Sequence, residues 1–469
     1  MRFDAMQDLI LLGHHEAELR ALLHKESGAE GAAYIVFGQV SVAADPWTNA
    51  PRERFISHAV RAIPEEDTVS ASLRHITWST RSLVRELARA TQENLILGIV
   101  HTHPQGPAVF SAQDDRNESE LARSICNRNG TDFPFISLLI AGDGEMVARV
   151  WRNNKATAIL RIAVHGRRLR YYGVLDSSRA DSDVLERQAR LFGPMVNDLL
   201  HGMRVAVVGC GGTGSPLTML LLRLGVGRIL LIDRDVVEVT NLNRIQGARR
   251  SDVGLPKVDV LAREVRNADL GVDVETRQTW VGATEAKDAL KACDVVFGCT
   301  DDHDGRSLLN RFAYFYGIPY IDVGLRMTPQ AGPLPYAITA RLSVIAPGGP
   351  CLLCRGTINA QRAAEEHQER IDPDGFRRLK AEAYVEGGGE PAPAVVTFTT
   401  EAATMAANEL LQALTGYRGE DGMAWARFRR FETLEDRGVS IDTRCGCQIC
   451  DDRAFWGRGD VEPFLYRIG

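Results

Sequence analysis

Residues 204–215 read RVAVVGCGGTGS, and this stretch decides the fold of the larger part of the chain. The apolar run after Arg204 predicts a buried strand, and the glycines that follow predict a loop leading straight into a helix. Glycines let the backbone approach a phosphate group, and the N-terminus of the following helix favours an anion. The glycines that we assign to nucleotide binding are Gly209, Gly211, Gly212 and Gly214.

The residues downstream continue as an alternation of strands and helices. The next predicted strand ends at Asp233, about twenty residues after the loop, where a carboxylate suits a ribose hydroxyl. Further strands are predicted to end near Cys299 and Asp322. This alternation predicts the α/β class, with a doubly wound, Rossmann-like parallel sheet. Taken alone, the pattern also fits a nicotinamide or flavin site.

Charged residues around the predicted cleft favour adenylation over hydride transfer. Arg244 and Lys257 follow the ribose carboxylate, and Asp301 follows a later strand. In adenylation a carboxylate attacks the α-phosphorus and pyrophosphate leaves, so cations and Mg²⁺ are needed to neutralise the developing charge. Hydride transfer has little use for such a set. Asp235 and Asn241 are secondary candidates for nucleotide binding.

With these residues the chain resembles the ThiF/MoeB and ubiquitin-activating adenylyltransferases over roughly residues 184–469. The resemblance implies ATP and Mg²⁺ as cofactors. It implies that Asp233 contacts the ribose and that Arg244 and Lys257 contact the phosphates. It also implies that Asp301 holds the magnesium ion.

Arg187 stands in the segment Glu-Arg-Gln at 186–188. The same resemblance implies that this arginine reaches into the site of a partner subunit, and hence that the protein is a homodimer. The alternative is an ordinary arginine on the surface of a helix.

A second constellation begins with His101-Thr-His103-Pro at the end of an apolar predicted strand. Alternate residues of a strand share a face, so both imidazoles can point at one metal ion. Asp114, one turn into the following predicted helix, can supply a third ligand. Two histidines and one carboxylate leave one position for water, the open geometry of catalytic zinc. A serine three residues before the aspartate could equally be a simple helix cap.

This stretch resembles the JAMM (JAB/MPN-plus) metalloproteases, and the resemblance covers roughly residues 10–160. It implies an α+β, cytidine-deaminase-like domain with a catalytic zinc ion. The implied zinc ligands are His101, His103 and Asp114. Ser111 would stabilise the oxyanion and Glu30 would be the general base, with Glu26 as the alternative. The implied reaction is hydrolysis of a peptide or isopeptide bond after the C-terminal glycine of a ubiquitin-like protein.

Four cysteines form two C-x-x-C pairs almost a hundred residues apart. They are Cys351, Cys354, Cys447 and Cys450. Four thiolates make a closed tetrahedral zinc site, which is structural rather than catalytic. Such a four-cysteine zinc knuckle recurs in the adenylyltransferase family that the chain resembles. Cys445 could replace Cys447 as a ligand.

The remaining cysteines offer no good covalent carrier. Ubiquitin-activating enzymes carry a thioester cysteine in or after the crossover region, but no cysteine occurs between Cys354 and Cys445. The other cysteines are predicted to be buried or to lie on a helix face: Cys126, Cys210, Cys293 and Cys299. We therefore expect adenylation without an enzyme-bound thioester, with Cys445 as the outside candidate.

The chain of 469 residues is long enough for several domains. We predict a metallopeptidase domain over 1–164, a linker over 165–183 and an adenylyltransferase domain over 184–469. Residues 357–395 are charged and then rich in glycine and proline, which predicts a mobile crossover segment.

Composition narrows the partners and the compartment. The formal net charge of −6 argues against a protein that coats nucleic acid. No apolar run reaches the roughly 20 residues that a membrane helix needs, and the first residues lack a secretory signal pattern. We therefore expect a cytoplasmic protein with neither nucleic-acid nor membrane partners.

Together the two constellations predict a bifunctional enzyme of a bacterial ubiquitin-like modifier pathway. One half would cleave after the modifier's C-terminal glycine, and the other would adenylate that C-terminus for transfer to an acceptor such as a downstream conjugating enzyme. The peptidase could trim precursors before activation or remove the modifier from conjugates. The resemblance also suggests a context in antiviral defence.

Three other interpretations remain open from the sequence. The first is activation and processing of a sulfur-carrier protein for cofactor or tRNA thiolation. The second is a protein in which one half is a degenerate binding module. The third is a simple dehydrogenase, which the charged residues around the cleft disfavour.

Overall fold

The computed structural model describes residues 6–72, 76–173, 183–330, 335–381, 395–444 and 446–461. These residues form two large sheets, one in each half of the chain. Among them, no helix combines the length and the apolar character needed to cross a membrane.

The N-terminal half is built on a nine-stranded mixed sheet in the order β11-β10-β1-β3-β2-β6-β7-β8-β9. A separate two-stranded ribbon pairs β4 with β5. The strands are β1 (Met6–Leu12), β2 (Ala32–Val42), β3 (Arg52–Ala62), β4 (Thr68–Ala71), β5 (Ile76–Trp78), β6 (Ile96–His103), β7 (Phe135–Ala141), β8 (Met146–Arg152), β9 (Lys155–Ile159), β10 (Arg161–His165) and β11 (Leu169–Gly173). The helices are α1 (Gly13–Leu23), α2 (Thr80–Gln92) and α3 (Ala112–Asn129).

Part of the range that the sequence assigns to a linker, 165–183, is regular structure. β11 pairs antiparallel with β10, and Leu169 packs into the apolar core of the C-terminal half. The basic residues around this strand suggested a linker, but burial of Leu169 and the pairing with β10 place it at the edge of the N-terminal sheet. Residues 174–182 lie outside the described residues.

The C-terminal half has an eight-stranded sheet in the order β14-β13-β12-β15-β16-β17-β18-β19. The first five strands in this order, from β14 to β16, are parallel. β17, β18 and β19 each pair antiparallel with the strand before them. The strands are β12 (Arg204–Val208), β13 (Arg228–Ile232), β14 (Asp273–Arg277), β15 (Val295–Gly298), β16 (Tyr320–Pro329), β17 (Tyr336–Ile345), β18 (Ala426–Arg430) and β19 (Glu435–Gly438). The helices are α4 (Glu186–Phe192), α5 (Pro194–Gly202), α6 (Gly214–Arg223), α7 (Lys257–Asn267), α8 (Thr284–Lys291), α9 (His303–Tyr316), α10 (Ala360–Ile371), α11 (Pro373–Ala381) and α12 (Val396–Thr415).

The strand order explains where a ligand can bind in this half. β12 is fully buried and lies between β13 on one side and β15 on the other. The chain therefore leaves β12 in one direction and later returns on its other side, which opens a crevice at the carboxyl ends of these strands. The glycine loop, 209–214, lies at this switch point.

The crossover segment differs from the expectation of a mobile stretch over 357–395. α10 and α11 occupy much of it, and the side chain of Asn359 caps α10 by accepting the backbone N–H of Arg362 (3.0 Å). Ala363 and Phe376 are buried. The charged composition suggested mobility, but the cap and these apolar anchors fix the two helices. Residues 382–394 lie outside the described residues.

The two halves dock through a buried cluster of charges around Asp294. Arg161 of β10 donates to both carboxylate oxygens (2.7 and 2.8 Å), and Arg54 of β3 donates to one of them (3.1 Å). The backbone N–H of Arg204, the first residue of β12, donates to the same carboxylate (3.0 Å). Burial alone would raise the pKa of Asp294, but Arg161 and Arg54 outweigh it and hold the pKa well below its usual range. The N-terminal half therefore packs on the amino ends of the parallel strands.

Removing the charge of Asp294 should destabilise the whole chain. In Asp294→Asn the guanidinium of Arg161 stays buried without its ion pair, and that of Arg54 is left with Asp8 at 3.4 Å, so we expect a loss of about 3–5 kcal/mol in the free energy of unfolding. Because the pKa of Asp294 is lowered on folding, its contribution is present above about pH 5 and declines as the pH falls from about 3.9, its unfolded value, toward the lowered folded pKa. Denaturant titrations at several pH values measure both effects.

The matched control is Asp374→Asn, which removes an exposed ion pair with Arg377. Such pairs contribute about 0–1 kcal/mol. An unchanged unfolding midpoint in Asp294→Asn would contradict the proposed dependence on this buried charge.

Candidate functional sites

The glycine loop after β12 needs residues without a side chain. Gly209 has a φ of 91°, and a Cβ there would lie 2.7 Å from the carbonyl oxygen of Cys299. A Cβ on Gly214 would lie 1.8 Å from the carbonyl oxygen of Gly209. The loop is therefore packed too closely for any other residue at these two positions. It forms one wall of a cleft of about 330 Å³.

Most of the residues predicted to bind the nucleotide line this cleft. They are Gly209, Gly211, Gly212, Asp233, Asp235, Asn241, Arg244, Lys257 and Asp301. Gly214 begins α6 instead of lining the cleft. The cleft extends along β16 past Gly324 and Leu325 to Thr399 of α12. The carboxyl ends of β12, β13 and β15 thus bring together residues that are far apart in sequence.

Asp233 is held in place by backbone donors. Its carboxylate accepts the N–H of Cys210 (2.6 Å) and the N–H of Asp235 (2.9 Å). Burial raises the pKa of Asp233, although Lys257 opposes this effect. Lys257 donates to the carboxylate of Asp235 (2.8 Å). Burial alone would lower the pKa of Lys257, but Asp233 and Asp235 outweigh it, so the pKa is raised and the ammonium group stays charged.

Arg244 lies beside the glycine loop. A Cβ on Gly212 would lie 3.0 Å from Cδ of Arg244, and the guanidinium donates to the carbonyl oxygen of Thr240 (2.7 Å). Asn241 is buried, and its side chain accepts the backbone N–H of Glu238 (3.0 Å). Asn241 thus caps the short turn that carries Arg244 to the cleft.

Arg306 and Asp302 are among the cleft residues that lie outside the predicted nucleotide set. Arg306 donates to the carboxylate of Asp322 (3.0 Å) and to the carbonyl oxygen of Asp301 (3.3 Å), so it braces the loop after β15. Asp302 caps α9 by accepting the N–H of Gly305 (2.8 Å). Aspartate is a preferred N-cap residue, so the capping role of Asp302 could have been predicted from its position just before the helix. The contact of Arg306 with Asp322 depends on strand order and has no local signal.

Arg187 is exposed on α4 and is not among the described residues that line the cleft. Apolar side chains near it are also exposed: Val184 by 53%, Leu191 by 74% and Met195 by 71%.

The second site lies at the end of β6. His101 and His103 point to the same side, and their Nε2 atoms lie 3.3 and 3.4 Å from the two carboxylate oxygens of Asp114. The ligand atoms of all three residues lie within 4.8 Å of one another. Nε2 of His101 is buried and has no hydrogen-bond partner among the described residues. A buried imidazole nitrogen aimed at a second imidazole and a carboxylate fits a zinc ion.

Glu30 and Ser111 flank this group. In the pairing of β2 with β6, Ala32 lies opposite His101, so Glu30 comes opposite His103 just beyond the strand end. Glu30 is buried, whereas the alternative, Glu26, is exposed. Burial raises the pKa of Glu30, and the negative charge of Asp114 adds to this shift.

Ser111 forms the capping box that the helix-cap interpretation expected. Its hydroxyl accepts the N–H of Asp114 (3.2 Å), and its own N–H donates to the carboxylate of Asp114 (2.6 Å). These bonds cap α3 and at the same time orient the carboxylate toward the histidines. Outside the predicted set, Phe110 lies 6.0 Å from His101, ring to ring, and the guanidinium of Arg149 lies 3.9 Å above Phe110.

The four cysteines of the C-x-x-C pairs converge. Their sulfur atoms lie within 4.8 Å of one another, with Cys351 3.7 Å from Cys447 and Cys354 3.4 Å from Cys450. The four cysteines lie in an apolar core to which the nine-stranded and the eight-stranded sheets both contribute residues. Asn310 of α9 accepts the backbone N–H of Leu352 (2.8 Å) and fixes the first pair. This donor set fits a closed structural zinc ion.

The other described cysteines are poor nucleophiles. Cys210 and Cys293 are fully buried, and burial raises the pKa of both thiols. Cys299 lines the cleft, but burial raises the pKa of this thiol as well. Cys126 is buried. Cys445 lies outside the described residues.

A Rossmann-like sheet with a glycine loop, a ribose-type carboxylate and clustered cations defines a nucleotide-binding α/β protein, joined here to an α+β domain with a candidate metal site. Residues 185–446 match the ThiF family, and the chain belongs to that family. Residues 13–154 match the family described as prokaryotic homologs of the JAB domain.

Curated relatives match about a third of the chain. The chain is 32% identical over 179 residues to the SAMP-activating enzyme E1 of Haloferax volcanii, which covers 37% of this chain and 63% of that protein. It is 36% identical over 152 residues to the adenylyltransferase and sulfurtransferase MOCS3 of Sus scrofa, covering 32% and 31%. It is 33% identical over 129 residues to the sulfur carrier protein adenylyltransferase of Thermus thermophilus, covering 28% and 48%. The chain thus spans less than two thirds of each of these proteins.

Among solved structures, E. coli MccB with ATP has a TM-score of 0.43 and 21% sequence identity. The match covers 58% of this chain and 76% of that one.

Loss of one zinc site should leave the other intact. In His103→Ala the open site loses a ligand, so we expect the zinc content to fall while thermal stability changes little. In Cys354→Ser the closed site in the core is broken, so both zinc content and stability should fall, because structural zinc contributes to folding. Elemental analysis and thermal unfolding after zinc loading measure both.

His24→Ala changes an exposed histidine and serves as the matched control. Full zinc content in His103→Ala would rule out the histidine site as a zinc site.

Proposed function

We propose that this chain is a bifunctional enzyme of a bacterial ubiquitin-like modifier pathway. Its C-terminal half adenylates the C-terminal glycine of the modifier with ATP and Mg²⁺, and its N-terminal half cleaves a peptide or isopeptide bond after that glycine. The observation that carries the proposal is the presence, in one chain, of a complete His–His–Asp group and a cleft with Asp233, Lys257 and Asp301.

In the proposed adenylation, the modifier's carboxylate attacks the α-phosphorus of ATP. A new P–O bond forms, the bond to the β-phosphate breaks and pyrophosphate leaves. Lys257 and Arg244 neutralise the charge that develops on the phosphates, and Asp301 holds the Mg²⁺ that accompanies ATP. Asp233, fixed by two backbone donors, binds the ribose hydroxyls.

In the proposed hydrolysis, His101, His103 and Asp114 hold a zinc ion, which supplies Lewis-acid activation of water and of the scissile carbonyl. Glu30 accepts the proton of the attacking water and returns it to the leaving amine. Glu30 suits this role because it is buried and lies opposite His103 at the end of β6. Ser111 stands at the rim of the site and is assigned to the oxyanion.

The activated carboxyl passes to an acceptor outside this chain. Burial raises the pKa of the Cys210 and Cys299 thiols beside the cleft, which supports adenylation without an internal thioester. The acceptor is then a thiol of a conjugating enzyme, a sulfur donor or an amine. The placement in antiviral defence stays a prediction.

A second candidate is activation and processing of a sulfur-carrier protein. The likeness to the Thermus thermophilus sulfur carrier protein adenylyltransferase favours it. A product that appears only with an added sulfur donor would select this candidate, and a conjugate that forms without sulfur would select the modifier pathway.

The two activities should separate by mutation. Lys257→Ala or Asp301→Ala should abolish ATP–pyrophosphate exchange with a glycine-terminated ubiquitin-like protein and leave its cleavage from a C-terminal fusion intact. His101→Ala or Asp114→Ala should do the reverse. We expect losses of at least about a hundredfold, because these groups contact the reacting charges or the metal. A folded variant that lost both activities would contradict the two-site proposal.

Arg187 should act in the site of a second copy of this chain. The exposed apolar residues Val184, Leu191 and Met195 around it support a homodimer contact there. Arg187→Ala and Lys257→Ala should each be inactive in exchange, yet an equal mixture should recover about a quarter of wild-type activity, because mixed dimers have one complete site. Recovery is measured after mixing and re-equilibration. A mixture as inactive as its components, or full activity of Arg187→Ala alone, would overturn this assignment.

A further inference from the structure

α10 of the crossover segment closes on the start of α9, next to the nucleotide cleft. Glu366 accepts the backbone N–H of Asp304 (2.8 Å). The backbone N–H of Asn359, at the start of α10, donates to Nδ1 of His303 (3.1 Å). Both contacts bind α10 to the first turn of α9. This turn directly follows the loop that carries Asp301.

Arg370, near the end of α10, makes the most specific of these contacts. Its guanidinium carbon lies 3.4 Å from the centroid of the Trp280 ring, and the same group pairs with Asp304. The other surroundings of the ring include Gly282, where a Cβ would lie 1.7 Å from the ring. The indole thus contacts the guanidinium of Arg370 and packs beside the backbone of Gly282.

Trp280 connects Arg370 to the cleft. Trp280 lines the cleft, and its Nε1–H donates to the carboxylate of Asp302 (3.3 Å). Asp302 also contacts the hydroxyl of Thr300 and caps α9. The contacts therefore run from Arg370 through Trp280 and Asp302 to the loop of residues 299–302, which contains Asp301.

Electrostatics give Arg370 a second effect on the loop. Asp302, Asp304 and Glu366 lie close together at the start of α9, and burial, with the charge of Asp302 and Asp304, raises the pKa of Glu366. The guanidinium of Arg370 adds positive charge to this acidic group. Without it, repulsion between Glu366 and the two aspartates would weaken the contact of α10 with the start of α9.

We propose that Arg370 is a positioning residue for adenylation, which acts through Trp280 and Asp302 to hold Asp301 where it binds Mg²⁺ with ATP. The proposal rests on the function proposed above for the cleft. It makes the crossover helix α10 part of the nucleotide site. A change that moves α10 away from α9 would weaken the binding of ATP with Mg²⁺ more than the binding of ATP alone.

The test uses the full chain, ATP as the probe, and calorimetry or nucleotide-induced tryptophan fluorescence. ATP affinity is measured with excess Mg²⁺ and with EDTA. In Arg370→Met, which keeps the apolar stem and removes the charge, we expect the gain in affinity from Mg²⁺ to fall about tenfold, as for other residues that orient a metal ligand indirectly. ATP affinity in EDTA should not change. Arg370→Lys should restore part of the gain because it can still pair with Asp304.

Two further variants make the outcome decisive. Trp280→Phe keeps the ring under Arg370 but removes the bond to Asp302, and it should show the same selective loss. Arg377→Met removes an exposed pair with Asp374 on α11 and should behave as wild type. Equal losses with and without Mg²⁺ would indicate a merely structural role and overturn the proposal, as would an unchanged Mg²⁺ gain in folded Arg370→Met and Trp280→Phe. Wild-type protein that fails to bind ATP would instead overturn the function proposed for the cleft.

Discussion

One buried carboxylate ties the two halves of the chain together. Asp294 is 0% exposed, and it binds two arginines of the N-terminal half and the first amide of β12. Removing a carboxylate from water costs several kcal/mol, and the cost is offset only while its partners remain in contact. The orientation of one half on the other therefore depends on satisfying this charge as well as on apolar packing.

The packing of the N-terminal half on the amino ends of the parallel strands also decides where each site opens. β12 begins beside Asp294 and ends at the glycine loop, five residues or roughly 17 Å away, so the cleft faces away from the N-terminal half. In the N-terminal half, Gly38 of β2 lies against the C-terminal half, so closely that a Cβ would lie 2.2 Å from the carbonyl oxygen of Gly457. Glu30 lies near the other end of β2, roughly 26 Å from Gly38 along extended chain. Under the proposed function, a modifier tail must leave one site before it enters the other.

Much of this arrangement could be predicted from the sequence, because its signals are local. The strand and glycine loop at 204–214 predicted the loop that lines the cleft, and the His-x-His spacing predicted two imidazoles on one face. Contacts set by topology gave no such signal. Trp280 and Arg370 are separated by two helices, three strands and the start of the crossover segment, and neither stands in a motif. The charged composition of α10 predicted a mobile segment. This prediction failed because α9, which is distant in sequence, covers the other side of the helix.

The two sites share a way of fixing their acidic groups. Asp114 is held by the N–H of Ser111, and Asp233 by the N–H groups of Cys210 and Asp235. The Ser-x-x-Asp sequence forms a helix cap, and the same capping bonds aim the carboxylate of Asp114 at the histidines, so the cap is compatible with the proposed metal ligand. Backbone donors belong to the fold and need no metal or nucleotide to be in place. Under the proposed function, each carboxylate is thus oriented before its ligand arrives, which lowers the cost of binding a cation or a ribose there.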